Sequence, residues 1–269
     1  MSSSDEGHNM NISTVPVAIT LSDGVGVLTL DNPAKRNPLS VPVMSLLNEA
    51  LLDFASNREV RAVVIRANGP VFSSGHDLSE LVDRTLEDER EVFGVCTTMM
   101  ESIQQIPQPV IAAVNGPAVA AGSQLASSCD LVVASSNAVF GTPGVKLGLF
   151  CSTPMVAISR AIGRKRMMQM LLTGEVIDAA TAMDWGLVNE VVDLDRLDAR
   201  VFELAAAIVK ASPLTLRVGK QAFYRQIELP QSEAYAEMAE VMSTNAMTCD
   251  AQEGIEAFLA KRTPTWTGQ

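Results

Sequence analysis

Residues 72–80, FSSGHDLSE, and residues 114–130, VNGPAVAAGSQLASSCD, decide the fold. In each, a β-rich run enters a glycine-containing turn and a helical pattern follows, which places backbone N–H groups near His76 and near Ala121 at helix N-termini. Such ends carry unpaired donors and partial positive charge. Two of them converging on one point form the arrangement that stabilises negative charge developing on the oxygen of a thioester or ester carbonyl. A reaction class is therefore indicated before any acid or base is.

Outward from these segments the chain alternates strand and helix. Residues 15–21 and 25–30 are apolar runs separated by Ser22-Asp23-Gly24, which reads as a hairpin. Residues 60–67 and 109–114 are short, β-branched and continuous, as strands buried on both faces are, and 131–134 is another. Helical patterns cover 41–56 and 92–106, the second marked by Val92, Cys96, Met99, Ile103 and Ile106 at alternating spacings of four and three. This order predicts an α/β fold with right-handed crossovers and a mostly parallel sheet. Past Gly163 the pattern is helical, over 164–172, 178–185, 196–211, 213–226, 232–244 and 251–262, with start signals at Asp178, Ser212-Pro213 and Ser232.

With 269 residues and 47% apolar content the chain can bury a large core, and one α/β domain with a helical appendage is expected. A net charge of −11 argues against nucleic acid or an anionic membrane as partner. Lys35, Arg36 and Lys261 still supply local positive charge for an anionic group. No apolar run approaches the ~20 residues of a membrane span. The first ten residues are polar, acidic and free of Arg, so neither a secretory nor a transit segment is expected, and a soluble cytoplasmic protein is. Cys96, Cys129, Cys151 and Cys249 lack metal-site or disulfide-scaffold spacing, so reduced thiols are expected. With His8 and His76 the only histidines, no metal site is expected either.

The ordered motifs FSSGHDL, GTPGV and GLFCSTP resemble those of the enoyl-CoA hydratase/isomerase (crotonase) superfamily, in particular its hydratase-domain-containing branch, from about Ile19 to the C-terminus. The resemblance implies a ββα superhelix with a C-terminal helical trimerisation region. It divides the chain into a mobile tail (1–12), a core holding an acyl-CoA site (13–195) and a helical region (196–269). It implies a homotrimer or dimer of trimers, an acyl-CoA thioester as substrate and no cofactor beyond the coenzyme A it carries. His76 and Ala121 then donate the two oxyanion N–H groups. The loop 31–37, with Lys35 and Arg36, lies along the nucleotide end of coenzyme A, or is simply a solvated surface loop. Phe258 and Lys261 match positions that reach the adenine and 3′-phosphate from an adjacent subunit.

Two positions depart from the family pattern. Hydration needs one carboxylate to deprotonate water and a second to deliver or share the proton. Aligned on the motifs, these fall at Gln124 and Gly144, neither of which is an acid or base. The position near Ser152, where some isomerases place a carboxylate, lies in GLFCSTP, which has none. Cys151 and Ser152 are the remaining candidates there, although Ser152 also reads as the cap of the following helix. Asp77 reads more simply as a helix cap, with Glu80 reaching back onto the same turn. Ser123 superficially suggests a hydrolase but lacks the flanking glycine a nucleophile elbow needs. The acidic segment 81–91 is mostly a solvent-facing stripe that also reads as a pocket lid or source of a base. The reading is a hydratase- or isomerase-like enzyme with an unassigned proton-transfer group; the alternatives are a non-catalytic acyl-CoA-binding protein and a Cys/Ser thioester hydrolase.

Overall fold

The computed structural model describes residues 16–269. The predicted tail, 1–12, lies outside the described residues. The chain runs β1 (Val17–Ser22), β2 (Val25–Leu30), α1 (Val41–Ser56), β3 (Ala62–Ala67), α2 (Leu86–Gln105), β4 (Val110–Val114), β5 (Ala118–Val119), α3 (Ala121–Ser128), β6 (Leu131–Ser135) and β7 (Val139–Gly141). It continues through α4 (Pro154–Ala161), α5 (Arg164–Thr173), β8 (Val176–Asp178), α6 (Ala179–Trp185), β9 (Glu190–Val192), α7 (Leu197–Val209), α8 (Pro213–Gln226), α9 (Gln231–Ala246) and α10 (Cys249–Leu259).

The main sheet has the order β1-β2-β3-β4-β6-β9, and only the β1–β2 pair is antiparallel. Asp23 and Gly24 close that hairpin with φ of +51° and +78°, the two-residue turn whose twist matches the flanking strands. Both faces of the sheet are covered, which is why its strands read as unbroken apolar runs. Leu28, Val63, Ile65, Ala112 and Val114 belong to the core shared with α1 and α2. Their alternates Val27, Ala62, Val64, Ile111 and Ala113 pack with Leu197, Val201 and Ala205 of α7. A smaller sheet, β5-β7-β8, pairs β5 parallel to β7 and β8 antiparallel to it.

Neighbouring parallel strands β3 and β4 release the chain at the same edge. Residues 68–77 leave β3 and residues 115–121 leave β4, so both segments singled out in the sequence gather outside the carboxyl ends of the strands. In open α/β sheets this crevice is where ligands bind.

Buried polar groups tie the helical region to the core. Lys220 of α8 places Nζ 2.7 Å from Asp130 Oδ2 and donates to the carbonyls of Ile103 (2.7 Å) and Gln108 (2.8 Å). Asp130 also accepts from Tyr224 Oη at 2.8 Å and from the Val110 amide at 2.7 Å. At the other end Asp250 accepts from Ser212 Oγ (2.5 Å), the Thr267 amide (2.7 Å) and the Gly268 amide (3.1 Å), folding the last residues back onto α10.

Several boundaries differ from expectation. α2 begins at Leu86, one turn and a half before the apolar repeat, on a reciprocal Thr85–Asp88 capping box. Residues 86–91 of the acidic segment are therefore helix, not lid. Ser232 caps nothing, since α9 starts at Gln231 behind Pro230. The short strands β5, β7, β8 and β9 add to the predicted set.

Asp130→Ala would strand the Lys220 ammonium in a site where 5% of its side chain is exposed. Urea denaturation is expected to show a loss of about 3–5 kcal/mol. Tyr224→Phe, which removes one hydrogen bond, should cost only about 1 kcal/mol.

Candidate active site

The two segments meet backbone to backbone. A Cβ built on Gly122 would lie 2.4 Å from the Ser73 carbonyl oxygen, and one on Gly116 would lie 2.1 Å from that of Pro70. One on Gly75 would meet Ala120 Cβ at 3.0 Å and the Ala121 nitrogen at 3.2 Å. Gly75 also holds φ at +91°, which L side chains rarely adopt. Hydrogen bonds complete the join: Val119 N–H donates to Ser73 O at 3.0 Å, and Phe72 and Ser73 amides donate to Pro117 O at 3.0 and 3.2 Å.

On the opposite side, residues 75–77 pair with Leu39. The Leu39 amide donates to Gly75 O at 2.8 Å and the Asp77 amide donates to Leu39 O at 3.4 Å, a parallel bridge centred on His76. In that pattern the central residue's own N–H points away from the partner strand. The His76 amide therefore faces away from Leu39, and among the described residues it has no acceptor. Ala121 opens α3 behind Ala120, whose φ of +50° sets the entry angle, and its amide likewise has no acceptor among the described residues. Ala121 thus stands at a helix N-terminus as expected, and His76 does not. After His76 comes one 3₁₀ turn, Leu78–Leu81, too short for a useful dipole.

The acidic residues beside His76 are engaged elsewhere. Asp77 caps the 3₁₀ turn, accepting from the Ser79 amide (3.0 Å) and hydroxyl (2.6 Å), contacts that lower its pKa. Glu80 does not reach back onto its own turn. Its carboxylate accepts from the Val41 amide at 2.8 Å, capping α1 instead.

Gln124 is buried on α3, with Oε1 3.9 Å from Cys96 Sγ, and it lines a cavity of about 640 Å³ between α2, α3, α4 and α8. Gly144 is buried in the 3₁₀ turn Pro143–Leu147. A Cβ there would come 2.5 Å from the Leu149 carbonyl oxygen and 2.8 Å from Cys151 Sγ, so the thiol fills the place of a side chain at 144. Burial pushes the Cys151 pKa up more than the Gly144 amide pulls it down, which keeps the thiol protonated. Ser152 is exposed, donates at 3.3 Å to Phe150 O and is not a cap, since Thr153 precedes α4. Ser123 Oγ donates to Ala118 O (2.6 Å) and accepts from the Gly141 amide (3.0 Å), which leaves no free hydroxyl for nucleophilic attack.

The loop carrying Lys35 and Arg36 is fastened to the same site by Asn37, a residue sequence reasoning missed. Its buried side chain donates to Asn68 O (2.9 Å) and Val71 O (2.8 Å) and accepts from the Asn32 amide (2.7 Å). Its carbonyl accepts from Ser73 Oγ at 2.9 Å. Lys35 and Arg36 are exposed and outside every ion pair found among the described residues. Phe258 and Lys261 are exposed at the end of α10, which packs on α8 and α9. A single chain does not gather them with the residues around His76.

Residues 20–269 match the enoyl-CoA hydratase/isomerase family. The mouse and human proteins named enoyl-CoA hydratase domain-containing protein 3, mitochondrial, are each 44% identical, over 91% of this chain and 82% of the mouse protein, and over 94% and 84% for the human one. The 2,3-dehydroadipyl-CoA hydratase of Escherichia coli K12 is 35% identical over 90% of this chain and 95% of its own. The crystal structure of human enoyl coenzyme A hydratase domain-containing protein 3 superposes with a TM-score of 0.91 at 43% identity, covering 93% of this chain and 100% of that one. An enoyl-CoA hydratase structure from Mycobacterium smegmatis gives 0.91 at 43%, covering 93% and 98%. The chain therefore has the crotonase fold and belongs to the enoyl-CoA hydratase/isomerase family, on the branch of the domain-containing protein 3 relatives. The same relatives correct the cytoplasmic expectation: they carry mitochondrial names, and the composition of ten N-terminal residues was no guide to compartment.

Two measurements check this geometry. Gly122→Ala drives a methyl group into the Ser73 backbone and should lower stability by about 2 kcal/mol or more in thermal melts. Burial lowers the His76 pKa below its ordinary 6.5, with the Leu39 carbonyl opposing it weakly. The unfolded chain therefore binds more protons than the folded one as pH falls through 6.5, and stability drops in that window. A His76→Gln variant should show a flatter stability profile between pH 7 and the onset of carboxylate titration near pH 5.

Proposed function

We propose that this chain binds an acyl-CoA thioester and polarises its carbonyl between the amides of His76 and Ala121, stabilising an enolate-like oxygen. The observation that carries this reading is the abutment of Gly75 on Ala120 and Ala121, with the two amides lacking acceptors among the described residues. Lys35 and Arg36, held beside the site by Asn37, would meet the phosphates of coenzyme A. Phe258 and Lys261 would complete that end from a neighbouring copy in a trimer. The E. coli relative is named 2,3-dehydroadipyl-CoA hydratase, which supports the substrate class.

Ordinary hydration is disfavoured. Gln124 cannot deprotonate water, and Gly144 is sealed behind Cys151 and Leu149. General acid–base catalysis contributes ~10²–10⁴-fold, so binding and polarisation without it leave at most slow water addition. This same observation favours a second reading, an acyl-CoA-binding protein without turnover. Hydrolysis through Cys151 or Ser123 is the weakest, given a protonated thiol and an engaged hydroxyl.

Calorimetry with butyryl-CoA, together with absorbance at the enoyl band during incubation with crotonyl-CoA, tests both. Binding is expected, with hydration at least ~10²-fold below that of a two-glutamate hydratase. Lys35→Ala and Arg36→Ala should each weaken binding by roughly tenfold. Failure of butyryl-CoA to bind sinks the proposal.

A further inference from the structure

A second polar cavity, of about 320 Å³, opens at the other end of the main sheet. Its wall takes in Arg61 just before β3 and Gln108 just before β4, with Arg58 after α1, Leu214 and Arg217 of α8, and Trp266. These are the amino ends of the same parallel strands whose carboxyl ends release the segments around His76 and Ala121. The six residues of β3 put roughly 20 Å between the two places. The cavity is therefore distinct from the carbonyl site.

Three arginines stand in that wall and no aspartate or glutamate does, in a chain whose net charge is −11. None of the three is in an ion pair among the described residues. Arg61 is fixed in place: its Nη2 donates to the Ala211 carbonyl at 2.6 Å, while its Nε is buried without a partner. Arg58 and Arg217 are exposed. α8 begins at the same wall, where Ser212 Oγ accepts from the Thr215 amide at 3.1 Å and the Leu214 amide has no acceptor among the described residues. A helix start with a free amide favours an anion, and guanidinium forks match the oxygens of a phosphate. Gln108 calls for more than a bare ion. Its Nε2 donates to the Phe54 and Val60 carbonyls at 2.7 and 3.2 Å, whereas Oε1, in a residue only 6% exposed, accepts from nothing. An unmet acceptor calls for a donor, which a hydroxyl or amine on an organic ligand supplies and a phosphate dianion does not.

We propose that this cavity binds a phosphate monoester of a small organic molecule. The phosphate is met by Arg58, Arg61, Arg217 and the free amide of Leu214, and the organic part by Gln108 and Trp266. Trp266 is held rigidly: Nε1 donates to the Lys210 carbonyl at 2.7 Å, and the ring rests on Gly254 of α10, where a Cβ would meet it at 3.2 Å. It offers the organic part a fixed aromatic wall. A volume of about 320 Å³ falls at the small end of pockets that take organic ligands. A ligand seated there bridges α1, α8 and the segment around Trp266, so its binding stabilises the folded chain. Occupancy of this cavity needs nothing from the amides of residues 76 and 121.

Calorimetric titration of the full chain with AMP, with glycerol phosphate and with inorganic phosphate tests the site. At least one of the two esters is expected to bind saturably, and inorganic phosphate about tenfold or more weakly than that ester. The ester at roughly a hundredfold its Kd should raise the melting temperature by about 5 °C or more. Arg58→Ala and Arg217→Ala, at exposed positions where the fold is spared, should each weaken the ester by about tenfold or more. Arg217→Lys keeps the charge without the fork and should lose less. Arg164→Ala, exposed elsewhere on the surface, should bind the ester like wild type. No saturable binding of either ester, inorganic phosphate binding as tightly as the better ester, or full affinity in the folded Arg58→Ala and Arg217→Ala variants would each overturn the proposal.

Discussion

Direct contact between two stretches of main chain, with no side chain interposed, is the constraint on which the structure turns. Gly116 and Gly122 lie against the carbonyls of Pro70 and Ser73, and Gly75 lies against Ala120 and Ala121. Close approach of this kind holds the amides of residues 76 and 121 in register without dedicating a side chain to the task. Positions fixed by backbone packing are stiff, since no rotamer can relax them. The sheet beneath adds to that stiffness: both segments emerge from adjacent parallel strands whose two faces are filled by α1, α2 and α7.

Polar groups inside the molecule serve connection more than chemistry. Ser73 and Asn37 join the 31–37 loop to the first segment. Lys220, Asp130 and Tyr224 fasten α8 beneath the sheet, and Asp250 gathers the final residues around α10. Tyr224 has one partner and the others have several, as low-dielectric surroundings demand. His76 is the contrast. Its ring packs edge-on against Phe93, the Leu39 carbonyl is the one polar group acting on it, and neither ring nitrogen makes a hydrogen bond of good geometry.

How much of this was legible in the sequence depended on whether a residue's partner was near in the chain. The β1–β2 hairpin, α1 and α8 followed from local pattern and turn chemistry, and Ser212 and Asp178 cap as their spacing indicated. The start of α2 was missed because its first turn is acidic and has no apolar face, although Thr85 and Asp88 at three residues' separation carried the signal. Strands β5, β7, β8 and β9, of two or three residues each, are too brief to show a period. Asn37 was unreadable for a different reason: two of its acceptors lie 31 and 34 residues away. The same distance hid Glu80, which caps a helix 39 residues earlier. For the site, Gln124 and Gly144 could be read directly, and the thiol and carbonyl packed against Gly144 could not.

That occupied space bears on what position 144 can accept. A glycine facing an empty slot accepts a larger side chain freely, but Gly144 faces a thiol and a main-chain carbonyl. A longer side chain at 144 would demand that the segment holding Leu149 and Cys151 move with it, so no single substitution there adds a functional group without displacing its neighbours.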